Sequence, residues 1–246
     1  MELKIRIYKA TDNPEACERF ARGHENVLLD YGIKKVTSSG TSWFNDPDVF
    51  IVMVESVSGK ELYGGARLHI KNKEHLLPIE NAISKMDKRI HDLINPELAF
   101  KTGELCGLWN TKNISGNGLS AMLVRTGVAK AGIFIAEKYN LRSLYTLSAP
   151  WTIGMVKKIG FVVEESVGNK GEFAYPKPDL IATVLVLNDI LTLKNAIQEE
   201  KEDIFNLREN PVQKRVENGP KGRIEVEYDL VIKNSLMDVK PELVHA

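Results

Sequence analysis

Apolar and polar side chains alternate at the start of the chain. Leu3, Ile5 and Ile7 are separated by Lys4, Arg6 and Tyr8, a period of two that predicts a half-buried first strand ended by Asn13-Pro14. Ala16, Phe20, Val27 and Leu28 then recur at near-helical spacing, which predicts one or two helices over Pro14 to Tyr31, with Thr11 or Asp12 as caps. A loop around Gly40 follows. The continuous apolar run Val49 to Ser56, the turn Ser58-Gly59-Lys60 and a second run from Glu61 to Ile70 predict a β-hairpin. Between His75 and Ala99, Ile79, Ile83, Met86, Ile90 and Leu93 or Ile94 fall on one helical face, so a single inserted helix is expected, stopped by Asn95-Pro96.

Gly103 to Trp109 reads as the next strand, and Leu119 to Tyr139 as a long helix rich in small residues. Leu141 to Leu147 is a strand, Pro150 to Ile159 a short helix closed by Gly160, and Phe161-Val162-Val163 and Leu180 to Leu187 are further strands. Past Asn188 the pattern changes. A charged amphipathic helix over Lys194 to Lys201 is followed by a loop containing Pro211, the turn Gly219-Pro220-Lys221-Gly222, and a late strand alternating through Ile224, Val226, Tyr228, Leu230 and Ile232. This tail is compatible with an edge strand, a lid or a dimer contact, and a homodimer is open.

Composition narrows the function classes. The 246 residues carry 33 basic and 33 acidic side chains, so no net positive charge favours a nucleic-acid backbone or an anionic membrane. Apolar runs reach about ten residues, short of the roughly 20 that span a bilayer, and Met1 to Tyr8 lacks the apolar core of a signal peptide. A folded cytoplasmic protein is expected. Cys17 and Cys106 are far apart without metal-ligand spacing and read as reduced structural thiols; the histidines, His24, His69, His75 and His91 among them, bring no three ligands to one face, so no metal site is expected.

The densest chemical signal lies between Gly103 and Phe161. An apolar strand meets the loop Asn113-Ile114-Ser115-Gly116-Asn117-Gly118 and then a helix, an order that suits a phosphate: glycines let the main chain approach the anion, and the helix start offers unpaired N–H groups. A phosphorylated cofactor is the expectation. Ser115 lacks the Gly-x-Ser-x-Gly pattern of a hydrolase nucleophile. Glu104 stands in a strand of otherwise apolar or small residues, where burial would raise its pKa and suit it to act as a general base; alternatively it faces solvent at the strand edge.

The element order, the Glu104-bearing strand, Asn113-x-x-Gly116-x-Gly118, the small-residue helix with Gly127, Ala129, Ala131 and Gly132, and Lys157-Lys158-Ile159-Gly160-Phe161 together resemble the GCN5-related N-acetyltransferase superfamily over residues 1–188. Within it, Gly64-Gly65-Ala66-Arg67-Leu68-His69, Leu76-Leu77-Pro78 and Gly103 to Leu108 resemble acyl-homoserine-lactone and N-acyl-amino-acid synthases, although Gly107 stands where those have arginine and Phe44 to Asp48 matches their acidic motif loosely. The resemblance implies an α/β (α+β) fold, a central mixed, mostly antiparallel twisted sheet flanked by helices, with residues 189–246 a helix-strand extension packing on it.

It also implies chemistry. The main chain at Asn113, Ser115, Gly116, Asn117, Gly118 and Leu119 would hold a coenzyme A pyrophosphate, the edge Leu108, Trp109 and Asn110 would pair with the pantetheine arm, and Arg125 would be an auxiliary contact. The family's usual tyrosine acid is replaced by Val156, which leaves Tyr145 and Ser148 as candidate acids or as packing residues, and Trp109 as an acyl-pocket or core residue. The expected activity is transfer of an acyl group from acetyl-coenzyme A or another acyl-coenzyme A to a small amine or amino acid. Alternatives are a long-chain synthase fed by an acyl carrier protein, with an apolar pocket around Leu105 and Leu144, and a catalytically weak acyl-coenzyme-A sensor.

Overall fold

A computed structural model describes residues 1–33, 36, 39–95, 100–135 and 139–232. Its strands are β1 (Glu2–Lys9), β2 (Val49–Ser56), β3 (Leu62–Ile70), β4 (Lys101–Asn110), β5 (Leu141–Ser148), β6 (Val162–Val163), β7 (Glu172–Ala174), β8 (Ile181–Leu187), β9 (Val212–Gly219) and β10 (Gly222–Asp229). All belong to one sheet in the order β6-β8-β5-β4-β3-β2-β1-β10-β9, with β7 also on β8. Only the β1/β10 and β4/β5 pairs are parallel among the described residues. The expected mixed, mostly antiparallel sheet is therefore present.

Helices cover both faces. α1 (Pro14–Asp30) places Phe20 against Val49, Ile51 and Met53, while α4 (Leu119–Lys130) packs on the opposite face over Phe50, Val52 and Leu68. β2 is buried on both sides, which explains its continuous apolar run. The cap of α1 is Asn13, whose Oδ1 accepts the Ala16 N–H at 3.0 Å; Thr11 instead bonds Asp12. α4 continues as a π-helical turn over Ala131–Ile135, and residues 136–138 of the expected helix lie outside the described residues. At Gly127 of α4 a Cβ would meet Leu105 Cδ1 at 2.8 Å, so the missing side chain is what lets helix and sheet touch.

Three sequence expectations change. The inserted helix is two short ones, α2 (Pro78–Ile83) and α3 (Ile90–Leu93), because Asp87 turns the chain between them: its carboxylate accepts the Arg89 N–H, the Arg89 guanidinium and the Gly168 N–H. Met86 is consequently 50% exposed rather than part of an apolar face. Its expected stop reaches into residues 96–99, outside the described residues. Between β5 and β6 the short helix is α5 (Pro150–Lys158), as expected, but the late helix, α6 (Gln198–Glu209), begins four residues beyond Lys194, and the expected loop after it is largely β9.

The chain beyond Asn188 is built into the sheet. β10 pairs with β1, β9 forms the edge, and α6 lies against α4. Arg125 of α4 fastens this arrangement: its guanidinium bonds Glu200 at 2.9 Å and Glu217 at 3.0 Å and lies 2.9 Å from Asp203. Glu217 in turn accepts from Tyr228 and Arg215.

Candidate functional site

The site begins where two parallel strands part. β4 and β5 pair from Lys101 opposite Leu141 to Glu104 opposite Tyr145, and there the pairing ends, while β5 continues on β8 to Ser148. From Leu105 onward β4 therefore keeps its β3 neighbour but has no partner on the β5 side among the described residues. Opposite Ala66 the strand bulges, two residues, Gly107 and Leu108, facing one, with Gly107 at a φ of +57°. Glycine adopts this left-handed conformation without the steric cost of a Cβ, which here would also lie 3.2 Å from the Arg67 Nε.

A cavity of about 220 Å³ opens at this parting. Its walls are mostly apolar, including Val27, Leu28, Leu105, Leu147, Val156 and Leu180. Glu104 lines it at the apex of the opening, 2% exposed, with Oε2 accepting the Ile79 N–H of α2 at 2.8 Å. The solvent-facing alternative is excluded. Burial pushes the Glu104 carboxyl up to about 8, against the Ile79 N–H and the Arg67 charge, which favour the ionised form.

The other titratable groups nearby are held in one form. His24, also lining the cavity, is lowered to about 3 by burial and by Arg67 and stays neutral; burial likewise keeps His69 neutral and raises the Cys106 thiol far beyond the range where thiolate forms. Glu104 is thus the cavity carboxyl whose titration lies near neutrality. Arg67, on β3, is wholly buried, with its guanidinium carbon 4.4 Å from the Trp43 ring centre and 5.5 Å from that of Phe20. Another cavity, of about 230 Å³, is lined by Trp43, Asp46, Arg67, His69 and His75 and shares Pro78 with the first. Asp46 lies 3.3 Å from His75 and accepts the Asp48 N–H at 2.9 Å.

The predicted residues divide. Ser148, Leu108 and Trp109 line the first cavity with Glu104, although the Trp109 ring is also core, edge-on to Phe20 and beneath Gly23. Tyr145 does not line it: its ring packs with Leu77, Val167 and Phe173, and burial raises its hydroxyl to about 12. Leu144 is in the main core, so the β5 wall of the cavity is Thr146, Leu147 and Ser148 instead. Arg125 is turned to three carboxylates of the C-terminal segment, which removes it from any phosphate.

The glycine loop keeps its geometry. Gly116 and Gly118 have φ of +81° and +83°, and Gly118 is the N-cap of α4 with no side chain capping it, which leaves the first-turn N–H groups, from Leu119 on, without a side-chain acceptor. The Asn113 side chain accepts from Thr111, Asn117 donates to the Ile114 carbonyl, and Asn110 accepts from Ser120. The β9–β10 turn lies on this loop: Lys221 Nζ donates to the Ser115 carbonyl at 2.7 Å and passes beside Gly116. Sequence reading missed Lys221, because nothing in a Gly-Pro-Lys-Gly turn says what it touches. Arg67 was findable by the criterion that found Glu104, an ionisable residue inside an apolar strand.

No family model matches the sequence, and no curated protein matches it. Solved structures do. FeeM, an N-acyl amino acid synthase from uncultured soil microbes, superposes with a TM-score of 0.53 at 15% identity over 76% of this chain and 91% of its own. MesI, a coenzyme-A-dependent acyl-homoserine lactone synthase, gives 0.51 at 12% identity over 83% and 95%, and BjaI, a synthase of the same description solved with SAM and isopentyl-CoA, gives 0.53 at 10% over 84% and 90%. The chain shares its fold with these synthases, and at these identities the likeness is one of fold.

Proposed function

We propose that this protein is an N-acyltransferase that moves an acyl group from a coenzyme A thioester to a small amine. One observation carries the reading: β4 and β5 separate immediately past a buried carboxyl that titrates near neutrality, opening an unpaired strand edge onto an apolar cavity. The amide arm of a pantetheine needs a strand edge, and an acyl chain needs an apolar wall. Leu108 to Asn110 supply the first. The uncapped start of α4, with the Gly116 and Gly118 main chain and the Lys221 ammonium beside it, suits the pyrophosphate.

In this reading Glu104 takes the proton from the acceptor ammonium as the amine nitrogen attacks the thioester carbonyl carbon. A main-chain N–H of the bulged β4 edge steadies the oxyanion, the carbon–sulfur bond breaks, and the thiolate is protonated by Ser148 or by water. Ser148 rather than Tyr145 is favoured because it lines the cavity. The acceptor enters from the polar side, past Trp43, Asp46 and Arg67. The apolar walls favour a donor chain longer than acetyl, and this bears equally on a thioester delivered by an acyl carrier protein.

The test is transfer from acyl-coenzyme A species of graded length to a panel of small amines and amino acids, with Glu104→Gln as control. Turnover that vanishes in the variant while donor binding persists is the expected result; binding without turnover on any amine would instead favour a sensor.

A further inference from the structure

Glu80 is buried as deeply as Glu104, at 1% exposure, yet takes no part in the transfer itself. Its carboxylate is fully engaged. Oε2 accepts the Leu77 N–H at 2.8 Å and lies 3.1 Å from Lys71 Nζ, and Oε1 lies 2.9 Å from His91 Nδ1. Lys71 directly follows β3 and donates to the His75 carbonyl at 3.0 Å, and His91 belongs to α3. Glu80 therefore ties the first turn of α2 to the end of β3 and to the neighbouring helix. The residue before it is Ile79, whose N–H is the donor on Glu104 Oε2. An N–H of a helix's first turn has no partner within the helix, so it reaches Glu104 only while that turn keeps its place.

We propose that Glu80 is a positioning residue for Glu104: by fixing the start of α2 it holds the Ile79 N–H on Oε2, and its own negative charge bears on the Glu104 carboxyl. This rests on Glu104 as the base. Oε1 of Glu104 has no hydrogen bond among the described residues and is the oxygen left for a substrate proton. The charged and titratable groups around Glu104 are Arg67 and His69 of β3, Cys106 of β4, Tyr145 opposite it in register on β5, and Glu80 of α2. Of these Arg67 favours the ionised form and Glu80 opposes it.

Two substitutions separate placement from charge. Glu80→Gln keeps an oxygen for the Leu77 N–H and removes the charge, whereas Glu80→Ala removes both. Carbon-13 NMR of side-chain-labelled glutamate, with the Glu104 resonance identified by its loss in Glu104→Gln, follows the carboxyl without turnover. The Glu104 midpoint should fall by about half a unit or more in Glu80→Gln, with kcat on the high-pH plateau within about threefold of native. In Glu80→Ala kcat should fall about tenfold or more with donor KM within about twofold. An unmoved midpoint in Glu80→Gln, or native kcat in Glu80→Ala, would overturn the proposal; where the alanine protein does not fold, the glutamine titration decides. Native turnover in Glu104→Gln would remove the base reading while leaving the Glu80 titration result intact.

Discussion

In the proposed transfer Glu104 concentrates the chemistry in one carboxyl. With its midpoint near 8, kcat/KM should climb with pH and level off above about pH 8, and Glu104→Gln should cost about 100-fold or more in kcat, measured as initial rates at saturating donor. The same burial has a stability consequence of fixed sign. A carboxyl whose pKa rises from 4.5 to about 8 on folding holds its proton more tightly in the folded chain, so its contribution is intact below pH 4.5 and lost as pH rises to about 8. Urea denaturation at pH 5 and pH 9 should show Glu104→Gln gaining relative to the native protein at the higher pH. Glu104 stood out in the sequence because an acidic residue in an apolar strand has few uses. Tyr145 stayed open between acid and packing residue because strand alternation gives a face but not what packs there; Leu77, Val167 and Phe173 fill that face.

Among the elements, β4 carries a bulge at the opening, just past the point where it parts from β5. Gly107→Ala forces a Cβ into a left-handed conformation and against Arg67, and should cost about 1–3 kcal/mol in chemical denaturation while weakening donor binding. Most strands were legible because their patterns are either alternating or continuously apolar. β9 was not: its sequence Val212–Gly219 has two valines, both exposed, since an edge strand paired only with β10 needs little apolar surface. The split of α2 from α3 was equally hidden, because Met86 continued the helical period and the Asp87 contacts with Arg89 and Gly168 leave no trace in periodicity.

For the molecule as a whole, the C-terminal segment closes the sheet at one end and reaches the glycine loop with its turn. The sequence left edge strand, lid and dimer contact open because pairing between β10 and β1 joins residues more than two hundred positions apart. Arg125→Ala would strand Glu200 and Glu217 in a buried setting and should cost about 3–5 kcal/mol, read as a fall in the urea midpoint. Burial would raise the Glu217 carboxyl, but the Tyr228 hydroxyl and the Arg125 and Arg215 guanidiniums hold it below 4.5. Its contribution is therefore present above pH 4.5 and lost on acidification below it.

The claim that the opening between β4 and β5 receives an acyl thioester is tested most directly by calorimetric titration of the native protein and of Leu180→Trp, which adds bulk to the cavity wall, with coenzyme A and acyl-coenzyme A species of increasing length. Affinity should strengthen with chain length, by up to about 0.8 kcal/mol for each methylene buried, and the gain should shrink in Leu180→Trp. Affinity that ignores chain length, or a gain that Leu180→Trp leaves unchanged, would contradict it.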